Sequence, residues 1–120
     1  MRNNEIGGIL ELNQLKWLDS IVERRTENLK RFINQLDSSK YRTDFKLEGS
    51  SNYAFNLILK KPDNDFVSRL MAKMDESGIE YRRGSAGGGN QTRQPYIKEI
   101  LPENAYMSFP ETEHIHFYGF

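Results

Sequence analysis

Apolar residues recur at three- and four-residue steps through the first third of the chain, and this spacing limits the fold most strongly. The stripe comprises Ile6, Ile9, Leu10, Leu18, Ile21, Val22, Leu29, Phe32, Ile33 and Leu36. Its period predicts one long helix over residues 4–36. At about 1.5 Å per residue that helix would be about 45–50 Å long, whereas a domain of this size is about 30–35 Å across. We therefore expect the helix to bend, or to pack partly on something outside this chain.

The remaining sequence predicts an α/β part over residues 41–120. Aromatic and β-branched residues in 53–60, YAFNLILK, indicate a central strand. We predict an edge strand over 41–45 and further strands over 79–83 and 115–120. A helix begins at Asp63 or Asp65 and runs to about Ser77, where Gly78 suits a helix end. The expected fold is therefore α/β (α+β): a long helix followed by a small antiparallel or mixed sheet with helices, in a single domain, 1–120.

Composition excludes several classes of function. Seventeen basic and seventeen acidic residues cancel, whereas a nucleic-acid surface normally shows a basic excess, so nucleic acid is not an expected partner. The absence of cysteine excludes disulfides, thiolate metal sites and a cysteine nucleophile. The sequence contains neither a signal-peptide core nor the roughly 18 apolar residues of a membrane span. We therefore predict a cytoplasmic protein without a membrane partner.

Hydrogen-bonding side chains gather around a glycine-rich loop in Glu80–Pro95, EYRRGSAGGGNQTRQP. The guanidinium groups of Arg82 and Arg83 suit a carboxylate or phosphate, and glycines let backbone N–H groups approach an anion. The loop matches neither a Walker motif nor a dinucleotide fingerprint. Two interpretations remain open at this point: a loop that contacts an anion or a sugar, and a plain mobile connection.

Both histidines lie near the end of the chain, close to Glu111 and Glu113. On the predicted last strand, His114 and His116 would point to one face, and two histidines with a carboxylate could hold zinc or iron. A third clustered ligand is not evident, so we predict no metal site and favour His116 as a hydrogen-bonding residue that is buried or faces a substrate. No serine or threonine lies in a nucleophile-elbow pattern.

Several segments, in order, match one family. The start MRNNEIGGILELNQL is similar to an R-x-T/N-E run that opens a helix carrying G/A-L-x-Q-L, with matches at Arg2, Asn4, Glu5, Leu12, Gln14 and Leu15. Later segments match G-I-x-x-R, G-N-x-x-x-Q-P and H-x-x-G-F runs, through Gly78–Arg82, Asn90, Gln94–Pro95, His116 and Gly119–Phe120. Together these segments resemble the C-terminal small domain of the DegT/StrS-type (DegT/DnrJ/StrS) sugar aminotransferases. The last run is nearest the subgroup that includes the keto-deoxysugar 3-dehydrases.

This resemblance implies a pyridoxal-phosphate (PLP) enzyme, an aminotransferase or dehydrase, that acts as a cytoplasmic homodimer on nucleotide-linked keto-deoxy sugars in cell-surface polysaccharide, lipopolysaccharide or deoxysugar biosynthesis. It implies substrate contacts from Arg82, Arg83, Asn90, Gln94 and His116, and a cofactor contact from Arg2. The Schiff-base lysine would lie in a large domain that this chain lacks. We therefore expect no catalytic residue here and no binding of PLP by this chain alone. The alternative is a stand-alone α/β sugar-phosphate-binding or interaction module.

Overall fold

The regular structure of the chain is helical. The computed structural model describes residues 5–87, 89–97 and 99–120. Within these ranges it contains four α-helices and four short 3₁₀ turns, with no β-strand. The predicted α/β fold with a sheet is therefore wrong, and the chain is mostly helical. Two compact units are present: one comprises the residues up to Leu36 with Thr43–Phe55, and the other Asp37–Arg42 with Asn56–Phe120.

Two helices replace the single helix expected in the first unit. Helix α1 is Glu5–Leu15 and helix α2 is Leu18–Gln35. At the junction Trp17 keeps a right-handed helical backbone, with φ −105° and ψ −3°. Its N–H donates to the carbonyl of Gln14, three residues earlier, at 3.0 Å. The helix is therefore interrupted by one tightened turn, which is a common device at helix ends.

The buried apolar residues of the first unit lie on α2. Leu29 and Ile33 are one turn apart and are 4% and 8% exposed. The ring of Phe32 lies beside that of Phe55, with centroids 4.8 Å apart. This aromatic pair joins the segment Thr43–Phe55 to α2, so the irregular segment belongs to the same unit.

Helix α1 leaves its apolar side chains exposed. Five of its apolar side chains are between 59% and 69% exposed: Ile6, Ile9, Leu10, Leu12 and Leu15. A Cβ added at Gly8 would meet nothing within 4 Å. No helix in the described part of the chain is both long and apolar enough to cross a membrane.

A short extended run forms the centre of the second unit. The consecutive residues Leu57, Ile58 and Leu59 are 8%, 8% and 3% exposed. On one side Arg42 N–H donates to the Ile58 carbonyl at 2.8 Å, and on the other Leu57 and Phe120 exchange two backbone hydrogen bonds of 3.0 and 2.9 Å. Each side forms only an isolated bridge. The run is apolar at every position, as is typical of a strand buried on both faces. Its backbone pairing is too short to build a sheet.

The other predicted strands are also wrong. In 41–45 only Tyr41 forms a bridge, and 79–83 has no regular structure. Residues 115–120 are mainly the end of helix α4, Pro110–Tyr118. Proline at the first helical position and glutamates in the first turn favour a helix there. These start signals outweigh the aromatic and β-branched composition that suggested a strand.

Helix α3, Asn64–Glu76, confirms the predicted helix and both of its end signals. The Asp63 carboxylate accepts the Phe66 N–H at 2.8 Å and so caps the first turn. Gly78 has a φ of +66°, which is the left-handed conformation expected just after a helix. Val67, on the inner face, is 6% exposed.

Candidate binding cluster between the glycine-rich loop and helix α4

Three of the residues predicted to contact a substrate lie together where the glycine-rich loop meets α4. Asn90 is buried, whereas Arg83 and His116 are half-buried. Arg82 is exposed, and Gln94 is half-buried at the end of the 3₁₀ turn Gln91–Arg93. The predicted cofactor contact, Arg2, lies outside the described residues. We name the group Arg83, Asn90, Arg93, Glu113 and His116 the loop–helix cluster.

Asn90 is the most buried member of the cluster, with 1% of its surface exposed. Its Oδ1 accepts the Thr92 N–H at 3.1 Å and the Thr92 hydroxyl at 2.6 Å. Its Nδ2 donates to Glu113 Oε2 at 2.8 Å and to the Tyr106 carbonyl at 3.4 Å. Both ends of the amide are therefore satisfied, as a buried polar side chain requires. The side chain caps the turn Gln91–Arg93 and ties it to α4 at the same time.

Arg93 and Glu113 form the charged pair of the cluster. Arg93 Nε lies 2.8 and 2.9 Å from the two carboxylate oxygens, and Nη2 also donates to Oε1. The guanidinium lies 4.0 Å from the Tyr106 ring centroid and 5.1 Å from that of Phe117. The hydrogen bond from Arg93, opposed by burial and helped by Asn90, holds the pKa of Glu113 below its usual range. The Glu113 carboxylate therefore neutralises the charge of Arg93 within the cluster. The planar contact between the two groups is one that lysine could not reproduce.

His116 receives a backbone hydrogen bond from the loop. The Asn90 N–H lies 3.1 Å from His116 Nδ1, and because an amide only donates, Nδ1 must accept and the neutral ring carries its proton on Nε2. Burial lowers the pKa of His116. The charges of Arg93 and Arg83 lower it further, while Glu113 opposes them. The ring is therefore neutral at physiological pH.

The glycines of the loop make room for the His116 ring. Gly84 has a φ of +54°, and a Cβ there would lie 3.3 Å from two ring atoms. At Gly89 a Cβ would lie 2.6 Å from His116 Nδ1 and 2.9 Å from the Gly84 carbonyl oxygen. Any other residue at Gly89 would displace the imidazole or the loop. The glycines at these two positions thus serve the packing of a side chain.

Arg83 is the cation of the cluster without a carboxylate partner among the described residues. Its Nη2 donates to the Phe117 carbonyl, and its Nη1 lies 2.9 Å from Met71 Sδ, a weak acceptor. The Phe120 ring centroid lies 4.7 Å from the guanidinium carbon. Its Nε is buried and has no hydrogen-bond partner among the described residues. These contacts hold the guanidinium without neutralising it, so the cluster retains a positive charge that suits an anion.

The two histidines do not share a face, because α4 is a helix. Residues two apart on a helix are separated by about 200° around its axis. His114 Nε2 donates to the Leu59 carbonyl at 2.6 Å, whereas His116 contacts Asn90. The shared face that a strand would have provided is therefore wrong. The residues that the structure describes contain no group of three or more histidine, aspartate or glutamate side chains that could hold a metal.

The lysines that the structure describes do not fit the Schiff-base position of a PLP site. A PLP enzyme of this type needs a lysine, or a substitute, aimed at the cofactor in an enclosed cavity. Every described lysine is exposed. Lys40 and Lys73 form surface ion pairs with Asp37 and Glu76 at 3.0 Å. The chain by itself therefore provides no enclosed lysine among its described residues.

Two members of the cluster, Arg93 and Glu113, were not predicted as site residues. The sequence places them 20 positions apart, and their pairing depends on how the loop meets α4. The local signal that the sequence does carry is Asn90 two residues before Thr92, a spacing typical of a side-chain cap. No family model, curated protein or solved structure matches the chain.

Proposed function

We propose that the chain is the substrate-facing small part of a PLP-dependent aminotransferase or dehydrase. Its substrate would be a nucleotide-linked keto-deoxy sugar, and the enzyme would be a cytoplasmic homodimer. The proposal is supported by the ordered sequence matches around Arg2, Gly78–Arg82, Asn90 and His116. In this proposal PLP and the catalytic lysine or its substitute belong to a domain outside the chain, and the exposure of every described lysine supports this.

One contact carries the proposal. Asn90 and His116 come from separate matching segments, 26 residues apart, and the Asn90 N–H donates to His116 Nδ1 at 3.1 Å. Arg83 belongs to the same cluster and keeps an uncompensated charge among its described contacts. A resemblance that was only a chance match in sequence gives no reason for these residues to meet. Their meeting places Arg83, whose charge acts on the His116 ring, at the point where two matching segments join, and a guanidinium suits the phosphate of a sugar nucleotide.

Within this proposal the cluster has a division of roles. Arg82 is exposed and would bind the diphosphate of the substrate directly. Arg83, held by the Phe117 carbonyl, would add to the positive field without leaving its place. Asn90, whose amide is fully used by Thr92 and Glu113, would shape the loop instead of contacting the sugar.

The exposed apolar side chains of α1 also support a larger protein. Ile6, Ile9 and Leu12 are each more than 60% exposed. Burying one such side chain contributes about 1.5–3 kcal/mol. The proposed enzyme would bury these residues against its large domain.

Calorimetric titration of the complete gene product with a panel of nucleoside-diphosphate hexoses tests the substrate class. We expect binding of at least one member, weakened about tenfold in Arg82→Ala because a charge-assisted contact to phosphate is lost. Lys61→Ala, which removes another exposed cation of the same unit, is the matched control and should bind normally. Affinity for no member of the panel, or equal weakening by both substitutions, would overturn the proposal.

The second candidate is a sugar-phosphate-binding module that works alone. It is favoured by the fact that the whole loop–helix cluster forms within one compact unit. This candidate predicts that the chain alone binds a hexose phosphate in calorimetry and loses that affinity in Arg82→Ala. The enzyme proposal predicts no comparable affinity for the chain alone, so the same titration separates the two candidates.

A further inference from the structure

The His116 ring lies where the loop and α4 meet. It accepts the Asn90 N–H through Nδ1 at 3.1 Å. It also lies against Gly84 and Gly89, at both of which an added Cβ would come within 3.3 Å of a ring atom. The Gly89 N–H donates to the Gly84 carbonyl at 2.8 Å, which closes the loop around the ring. One imidazole therefore holds both halves of the loop.

This arrangement requires a neutral ring. Protonation would place a hydrogen on Nδ1, so that two donors, the ring and the Asn90 N–H, would face each other. The new positive charge would also adjoin Arg83 and Arg93, the two cations that act on the ring from the loop side. Glu113 on α4 is the one opposing charge among the groups that act on it, and its carboxylate is already bonded to Arg93 and Asn90.

We propose that His116 is a pH-operated latch: its neutral ring fixes Gly84–Gly87 and Gly89–Arg93 against α4, and its protonation releases them. The latch is a property of this chain with or without a bound substrate. It does not depend on the proposed enzyme activity. Release would free the Asn90 backbone and the turn that Asn90 caps.

Protonation of His116 favours the released state over the latched state. The latched state holds the pKa of His116 below its ordinary value, first through burial and then through Arg93 and Arg83. The released state therefore binds a proton more readily than the latched state in the interval between the two pKa values. The latch is fully closed above the ordinary pKa of 6.5. The stability of the latched state falls as the pH drops from that value through the lowered pKa of the latched His116.

Hydrogen exchange of backbone amides, followed by NMR, measures the latch directly. The protection factor of the Asn90 amide, corrected for intrinsic exchange, should fall by about fivefold to tenfold between about pH 7.5 and pH 5, the factor that one net hydrogen bond represents. Amides of α3, which do not depend on the ring, should keep their protection. Unchanged protection of Asn90 over this interval would overturn the latch.

Two substitutions identify the group that titrates. In His116→Gln the side chain cannot take up a proton, so the fall in the protection factor of the Asn90 amide at low pH should vanish. His114→Gln removes the other histidine, which contacts Leu59 instead of the loop, and the fall should remain. A pH-dependent fall in Asn90 protection that survives His116→Gln, or that disappears in His114→Gln, would contradict the proposal.

A measurement on the unaltered protein covers the case in which His116→Gln does not fold. Long-range proton–nitrogen correlation spectra distinguish the two neutral tautomers of each imidazole. The latch requires the proton of neutral His116 on Nε2, because Nδ1 accepts from Asn90. Finding that proton on Nδ1 would overturn the proposal independently of any variant.

Discussion

Replacing Asn90 by alanine should destabilise the second unit more than any substitution at an exposed polar residue. Asn90 is 1% exposed, and its amide joins the turn Gln91–Arg93 to α4. The substitution removes the acceptor for Thr92 and the donor to Glu113 together. Thr92 and Glu113 would remain half-buried with fewer hydrogen bonds.

The magnitude follows from these two contacts. Loss of a side-chain cap costs about 1 kcal/mol, and loss of a hydrogen bond to a charged group costs about 1.5–3 kcal/mol. We therefore expect the free energy of unfolding of the second unit to fall by about 3 kcal/mol. Asn104→Ala is the matched control. Asn104 precedes the turn Ala105–Ser108 but is exposed and makes no side-chain cap hydrogen bond, so its replacement should change stability by less than about 0.5 kcal/mol.

Urea unfolding followed through resolved NMR signals of the second unit gives the free energy for that unit alone. The Asn90→Ala midpoint should shift to clearly lower urea at an unchanged slope, while the Asn104→Ala midpoint should stay near that of the wild type. Equal midpoints for the two variants would refute the view that Asn90 holds the loop on α4.

Three further predictions concern particular contacts in the second unit. Asp63→Ala removes the cap on Phe66 N–H and should lower the free energy of unfolding by about 1 kcal/mol, measured by urea unfolding; no change would mean that the cap is not formed in solution. Gly119→Ala places a Cβ 2.6 Å from the Ile115 carbonyl oxygen, so the chain must shift at a cost of about 1–3 kcal/mol; a thermal midpoint equal to the wild type would contradict this contact. The pKa of Glu113 is lowered from 4.5 by its hydrogen bond from Arg93, so the stability from this carboxylate is present above pH 4.5 and is lost as the pH falls through the folded-state pKa. Urea unfolding at decreasing pH should show a smaller acid loss in Glu113→Gln, and an identical loss would argue against the pair.

The sequence was most informative where structure is decided locally. Helix α3 was predicted correctly because its cap, Asp63, and its stop, Gly78, act within a few residues of the helix ends. Helix-start signals were also present at Pro110 and Glu111. The aromatic and β-branched residues of 115–120, IHFYGF, nevertheless favoured a strand. Aromatic and β-branched residues indicate a buried position as much as they indicate a strand. Near the end of this chain Ile115, Phe117 and Tyr118 belong to a short helix.

The division between α1 and α2 had no comparable signal. Neither Lys16 nor Trp17 is a residue that normally ends a helix. The apolar stripe resumes at Leu18, on the same helical face as Leu10, and the backbone hydrogen bond from Trp17 to Gln14 marks the tightened turn. Periodicity therefore gave the presence of helix correctly but could not give its continuity.

The candidate site was predictable in part. The sequence identified Asn90, Arg83 and His116 as residues of interest, and these three lie around the same loop and helix. It could not identify the pairing of Arg93 with Glu113, because that pairing depends on the folding of the loop onto α4. Of its two interpretations of the loop, a contact with an anion or a sugar and a plain mobile connection, neither included the packing of Gly84 and Gly89 against an imidazole. Steric needs of this kind become visible only when the neighbouring side chain is known.

The central claim, that this chain is part of a PLP enzyme, is tested most directly by cofactor retention. The complete gene product would be incubated with PLP, passed through a desalting column, and examined for the visible absorbance of bound PLP. We expect the complete product to retain the cofactor, and this chain alone, whose described lysines are all exposed, to retain none. A complete gene product that emerges from the column without PLP would refute its assignment as a PLP enzyme.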